Sequence, residues 1–143
     1  WMDKGLLEMI VNRSMIMIKT ISYADKNYLN NKIEDLKQLT KCKYNRILIP
    51  NFSYNVFENV LTIHMDYIKG QQINSHTKNN YTNIVYEDLV CSTNSISAKG
   101  YAFENFIITK NKIYYIDLDD IGFSSIEERK IKFDKDWVNR KWD

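Results

Sequence analysis

Two short apolar runs, Phe106 to Ile108 and Ile113 to Ile116, stand on either side of a polar tip at Lys110 to Lys112. Runs of that length, rich in Ile, Tyr and Phe and separated by a few polar residues, specify a β-hairpin. One polar residue bounds the hairpin at each end, Asn105 before the first run and Asp117 after the second. Antiparallel pairing carries their amide oxygen and carboxylate to the same rim. Completed by water and a phosphate, such an oxygen pair meets what Mg²⁺ requires.

The rest of the chain must supply a core beneath that hairpin. At 143 residues and 44% hydrophobic content, it can bury one real core, as a single unit that is compact or bilobed. A formal net charge of +2 from nearly balanced acids and bases does not mark a nucleic-acid or membrane surface. Cys42 and Cys91 lie far apart, and His64 and His76 are the only imidazoles. That excludes a disulfide framework and argues against a zinc cluster. No apolar run is long enough to span a bilayer or to form a leader at the start, so the expectation is an intracellular, cytoplasmic protein.

In order, Leu6 to Val11 and Ser14 to Ile21 read as strands joined at Asn12-Arg13. The second contains one lysine, Lys19, inside the nearly apolar MIMIKTI; such a lysine either reaches solvent or meets an anion. Ser22, with Asp25 three residues on, offers an N-cap. Leu29, Ile33, Leu36 and Leu39 then recur at helical spacing, predicting a helix over Tyr23 to Thr40. Ile47 to Ile49 ends at Pro50, the only proline. Asn51 to Phe57 and Val60 to Tyr67 form a hairpin through Glu58-Asn59, and Gln71 to Thr82 reads as a loop. Helices are predicted over Asn83 to Thr93 and, after a Ser124/Glu127 capping pattern, around Ile126 to Val138. Trp137 and Trp142 read as core anchors.

The order of these features resembles the protein-kinase-like superfamily over about Gly5 to Ser125. MIMIKTI resembles its V-A-I-K strand, which implies that Lys19 grips the α- and β-phosphates of ATP. The helix falls where the family's C-helix stands. Glu34 is the candidate partner of Lys19, although counting back from the leucines puts Lys32 in that place, and Glu34 equally suits pairing with a neighbouring lysine. VLTIHMDYIKGQQI resembles the fifth strand and hinge: Met65 would be the gatekeeper, and Asp66, Tyr67 and Ile68 would offer backbone groups to an adenine edge. Asn105 and Asp117 match the catalytic-loop Asn and the metal-binding Asp, implying Mg²⁺. Asp117 is followed by Leu-Asp-Asp in place of Phe-Gly, which is closer to small-molecule phosphotransferases. Asp119 or Asp120 adds a ligand or caps a turn, the turn being favoured for Asp120.

The departures bear on catalysis. Five residues before Asn105, where the family has its catalytic Asp, stands Gly100, and Glu104 is the only carboxylate in that loop. Loss of such a base removes about 10²–10⁴-fold of rate, so if Gly100 is the only lesion, restoring the base with Gly100→Asp is expected to raise turnover about tenfold or more. G-x-G-x-x-G is absent, with Gly5 alone near its place, and A-P-E is absent. The resemblance implies an α+β, reduced two-lobed kinase-like fold: one domain over 1–143, with an N-lobe (1–68) of antiparallel sheet and one helix, and a truncated, mostly helical C-lobe (69–143) containing the hairpin. It further implies ATP and Mg²⁺ in the interlobe cleft, with phosphotransfer weak or lost. The other readings are a pseudokinase that works through a protein partner and a structural subunit of a larger assembly. The short form suits a viral or phage-like protein, acting in a host cell or carried in a virion. Neither nucleic acid nor a membrane is indicated.

Overall fold

The computed structural model describes residues 6–11, 14–94 and 96–141. Gly5, the Asn12-Arg13 turn and Trp142, each given a role above, lie outside them. The fold is mixed α+β. Strands β1 (Leu6–Val11), β2 (Ser14–Ser22), β4 (Phe52–Phe57) and β5 (Val60–Asp66) form an antiparallel sheet in the order β1-β2-β5-β4. Alternation sets its faces. Lys19 opposes Ile63, which opposes Tyr54, while Met17 opposes Met65, which opposes Phe52. These residues share the inner face, and Met17, Lys19, Leu61, Ile63 and Met65 are buried there. The β4–β5 turn holds Glu58 at φ 55°, a conformation costly for most side chains but suited to a two-residue hairpin.

Helix α1 (Lys26–Leu39) begins later than the Ser22 pattern predicts. Ser22 still pairs with Val60 in the sheet, so the strand ladder holds the backbone that a cap would need. Asp25 caps instead, its carboxylate accepting the Asn27 N–H at 2.9 Å. The buried stripe of α1 is Leu29, Lys32, Leu36 and Leu39, a lysine inside an otherwise apolar face.

The second sheet runs β3-β9-β8-β6. Its centre is the expected hairpin, β8 (Phe106–Thr109) and β9 (Lys112–Tyr115), with Lys110 at φ 52° in the turn. β6 (Gln71–Gln72) pairs with β8 from within the segment read as a loop. β3 (Ile47–Leu48) pairs with β9 in parallel, so the first half of the chain contributes a strand to the sheet of the second. The boundary at 68 and 69 is therefore not a clean division of structure.

Helix α2 (Lys78–Val85) continues into a wider π-type turn, Tyr86–Val90. It starts earlier than its apolar residues suggest because the side chain of Asn74 and the hydroxyl of Thr77 organise the preceding turn. α3 (Ile126–Phe133), capped by Ser125 at the Glu128 N–H (3.2 Å), ends in a similar turn at Asp134–Val138. One residue separates that cap from the Ser124/Glu127 pattern. Trp137 is fully buried, stacks on Phe133 and donates its indole N–H to Thr82 at 3.0 Å. A further pairing lay below sequence detection: β7 (Ile96–Ala98) is antiparallel to β10 (Ile121–Phe123). It places the segment before Asn105 against the segment after Asp117.

Candidate functional site

Lys19 points from the inner face of β2 toward the turn that follows β9. Its Nζ lies 2.7 Å from Asp119 Oδ1 and 3.7 Å from Asp117 Oδ1, with the lysine almost wholly buried. That turn, Leu118–Asp120, is anchored by Leu118, which is fully buried. Anchoring the middle residue presents Asp117 and Asp119 on the side facing the lysine. Asn105 is buried at the opening of β8, and its carbonyl accepts the Ile116 N–H at 2.9 Å. The hairpin thus sets the backbone of Asn105 against Ile116, the neighbour of Asp117, and Lys19 reaches Asp119 from a strand about 100 residues away in the chain.

The charges are strongly coupled. Asp117 is pushed up to about 7, first by burial and then by the hydrogen bond and charge of Asp119, against the pull of Lys19. Burial also acts on Asp119, but the hydrogen bond from Asp117 and the Lys19 ammonium outweigh it and hold this carboxyl below its ordinary range. Tyr23 is raised to about 12 by burial and by Asp119. The pair of carboxyls therefore keeps a proton into neutral pH.

Glu34 is not part of this arrangement. It lies on the exposed face of α1, where its carboxylate accepts from Gln38 at 3.4 Å, whereas Asp119 and Asp117 both come within ion-pair distance of Lys19. The residue in the buried stripe is Lys32, whose Nζ donates to the Asp119 carbonyl at 2.5 Å and the Ile121 carbonyl at 3.3 Å. Asp35 lies 4.0 Å from the same nitrogen. Burial lowers the Lys32 pKa, opposed by Asp35. α1 is thus tied to the turn carrying Asp119 by a lysine, in the place where the resemblance calls for a glutamate. The signal was present in the spacing, since Lys32 falls three residues from Leu29 and four from Leu36, whereas Glu34 falls off the stripe.

Next to the charged cluster is a cavity of about 230 Å³. Met17 walls it from β2, Met65, Tyr67 and Ile68 from the end of β5, and Ile107 and Ile116 from the hairpin. Met17 is two residues from Lys19 on the same face and Ile116 adjoins Asp117, so cavity and charges are contiguous. Drug-sized sites start near about 300 Å³; this space suits one flat ring system, with anything attached to it continuing toward Lys19. Of the backbone groups assigned to the adenine edge, the Asp66 N–H already donates to the Asn51 carbonyl at 2.9 Å. Asp66 lines a larger, more open groove of about 480 Å³ with His64, Asn55, Ile16 and Phe52, a lining that does not include Lys19.

Gly100 is buried, and its carbonyl accepts from the Tyr115 hydroxyl at 3.4 Å. A Cβ added there would lie 2.6 Å from Asp120 Oδ2, so Gly100→Asp enters an occupied space and simple restoration is not the expected result. Glu104 is exposed and pairs with Arg140 at 3.5 Å.

Among the described residues no three His, Cys, Asp or Glu side chains gather as a metal-ligand set, and the oxygen donors at the rim are Asp117, Asp119 and Asn105. Hard, oxygen-only donors with one or two carboxylates suit Mg²⁺ that keeps water and phosphate ligands. Asp117 is held protonated first by burial and then by Asp119, and a divalent cation bound there would favour its ionised form. No protein-family model and no curated protein matches the chain. Among the described residues no helix is long and apolar enough to cross a membrane.

Proposed function

We propose that this chain is a minimal kinase-like protein that binds ATP with Mg²⁺ in the cleft between its two four-stranded sheets. The observation that carries this reading is the meeting of Lys19 with Asp117 and Asp119 beside the apolar cavity. A buried lysine among carboxylates alone is a structural ion pair. Joined to a ring-sized apolar slot bounded by Met17, Met65 and Ile116, it becomes a site for an aromatic base with an anionic tail.

In this reading Met17, Ile107 and Ile116 enclose the base, Lys19 meets the phosphates, and Asp117 with Asn105 holds the metal. Mg²⁺, when bound, supplies neutralisation of the phosphate charge. Asp119 keeps Lys19 extended into the cleft before nucleotide arrives, which removes the entropy cost of ordering a long side chain at that moment. Lys32 holds α1 against the same turn.

Ligand that binds only the folded chain stabilises it. Mg²⁺ with ATP at about one hundred times its Kd should add about 2.7 kcal/mol, read as a rise in melting temperature. Lys19→Met should abolish most of the rise while leaving the protein folded. No rise at millimolar Mg·ATP in a well-folded sample removes this reading. A second reading, a binding module without transfer, is favoured by the bare backbone at Gly100.

A further inference from the structure

We propose that Asp120 supplies the carboxylate that is missing at Gly100, so that the proton acceptor for phosphoryl transfer has moved from one strand segment to its neighbour. The inference rests on the nucleotide-site reading and deepens it. Gly100 follows β7 and Asp120 precedes β10, and the two strands pair with Ala98 opposite Ile121. The Lys99 N–H donates to the Asp120 carbonyl at 2.8 Å, which fixes the two segments side by side. A Cβ on Gly100 would stand 2.6 Å from Asp120 Oδ2. That is close to the distance separating an aspartate's own Cβ from its carboxylate oxygens. The Asp120 carboxylate therefore fills the volume that an aspartate at position 100 would use.

The glycine is required for this exchange, since any side chain at 100 would displace the carboxylate. Asp136 Oδ2 is the other carboxylate nearby, at 3.7 Å from the same Cβ position, but it accepts the Tyr101 N–H at 3.1 Å and lies 3.9 Å from Lys132. The charged groups acting on Asp120 are Asp119, Lys32, Lys132 and Lys99. Its own N–H bonds the Asp117 carbonyl at 2.9 Å, which holds it one turn from the metal-binding candidate. In the step, an oxygen of an alcohol or water bonds to the γ-phosphorus of ATP as the bond from that phosphorus to the bridging oxygen breaks. ADP leaves, and the proton of the attacking hydroxyl passes to Asp120.

Two measurements test this on the full chain. The first needs no nucleotide: Gly100→Ala should lower the melting temperature in the native background and cost clearly less in Asp120→Gly. An equal cost in both backgrounds overturns the shared volume. The second uses Mg·ATP with water as acceptor and follows ADP release. Asp120→Asn, nearly the same in shape, should lower turnover about 10²-fold or more while keeping the nucleotide-dependent melting shift. The exchange Gly100→Asp with Asp120→Gly should recover at least about tenfold over Asp120→Asn, whereas Gly100→Asp alone should gain nothing. Unchanged turnover in Asp120→Asn, or undetectable turnover by the native chain with a melting shift present, overturns the role of Asp120 and leaves nucleotide binding standing. Absence of the shift in the native chain removes both.

Discussion

Replacing Asp117 by asparagine should stabilise the ligand-free fold, and by more as pH rises. The carboxyl stands at about 7 in the folded chain against an ordinary 3.8, because of burial and then Asp119. A proton is thus held more tightly in the folded than in the unfolded state. The stability this brings is complete below about pH 4 and is lost as pH climbs to about 7. The whole climb corresponds to about 4 kcal/mol at about 1.4 kcal/mol per pH unit. Asp119 moves the opposite way under Asp117 and Lys19, which returns part of it, so the gain at pH 8 stays below that figure. Asparagine keeps the size of aspartate and offers Asp119 the hydrogen that a protonated Asp117 offers. For a chain of this length 1 kcal/mol moves the melting temperature by about 3 °C, so Asp117→Asn should melt several degrees higher at pH 8, by less than about 12 °C. The assay is a set of melts of both proteins with chelator and no nucleotide, at pH 5, 6, 7 and 8. The gap should widen up to about pH 7 and then stay level. A gap that ignores pH, or a variant less stable than the native chain throughout, would refute the reasoning. With Mg·ATP the order should reverse, since only the native chain gains from the ligand.

Two other substitutions probe the packing around the helical part of the chain and the cavity. The Arg129 guanidinium donates to the carbonyls of Val90, Ser92, Asn94 and Ser124 and to the Ser124 hydroxyl; a lysine cannot span these acceptors from one point, so Arg129→Lys should cost about 2–3 kcal/mol and lower the melt by about 6–9 °C, and a loss under about 2 °C would show that the clamp matters little. A Cβ on Gly70 would fall 2.3 Å from the Ile108 carbonyl oxygen and 2.8 Å from Ile107 Cγ2, so Gly70→Ala should cost about 1–3 kcal/mol and weaken the nucleotide-dependent melting shift, and an unaltered shift would place the cavity's floor elsewhere.

What could be read from residues alone followed from how local the cause was. The hairpin from Asn105 to Asp117 was legible because strand period and turn residues lie within a dozen positions. Lys19 was legible as an anion partner because one charge in an apolar run has few alternatives, but its nearest carboxylate, Asp119, depended on the tight turn pinned by Leu118. Glu34 attracted the assignment as the available acid, while burial followed the stripe and selected Lys32. The start of α1 moved because Ser22 was already committed to the ladder with Val60. β7 and β10 are three residues each and pair across more than twenty positions, so no local pattern marks them. The opposition of Gly100 and Asp120, which that pairing creates, was therefore invisible.

β3 bears on how the protein is made. The strand leaves the ribosome with Ile47 and Leu48, but its partner β9 carries Ile113 and Tyr114. During synthesis the earlier sheet can assemble with its own hairpins, while β3 waits as an unpaired edge until more than sixty further residues have emerged. The carboxylates that receive Lys19 come later still. Closure of the two sheets over Lys19 therefore waits until β9 and the turn carrying Asp119 have been made. A nascent chain stalled between β5 and β9 would display Ile47 and the inner face of β2 to solvent, where such apolar surface is open to chaperones and to aggregation.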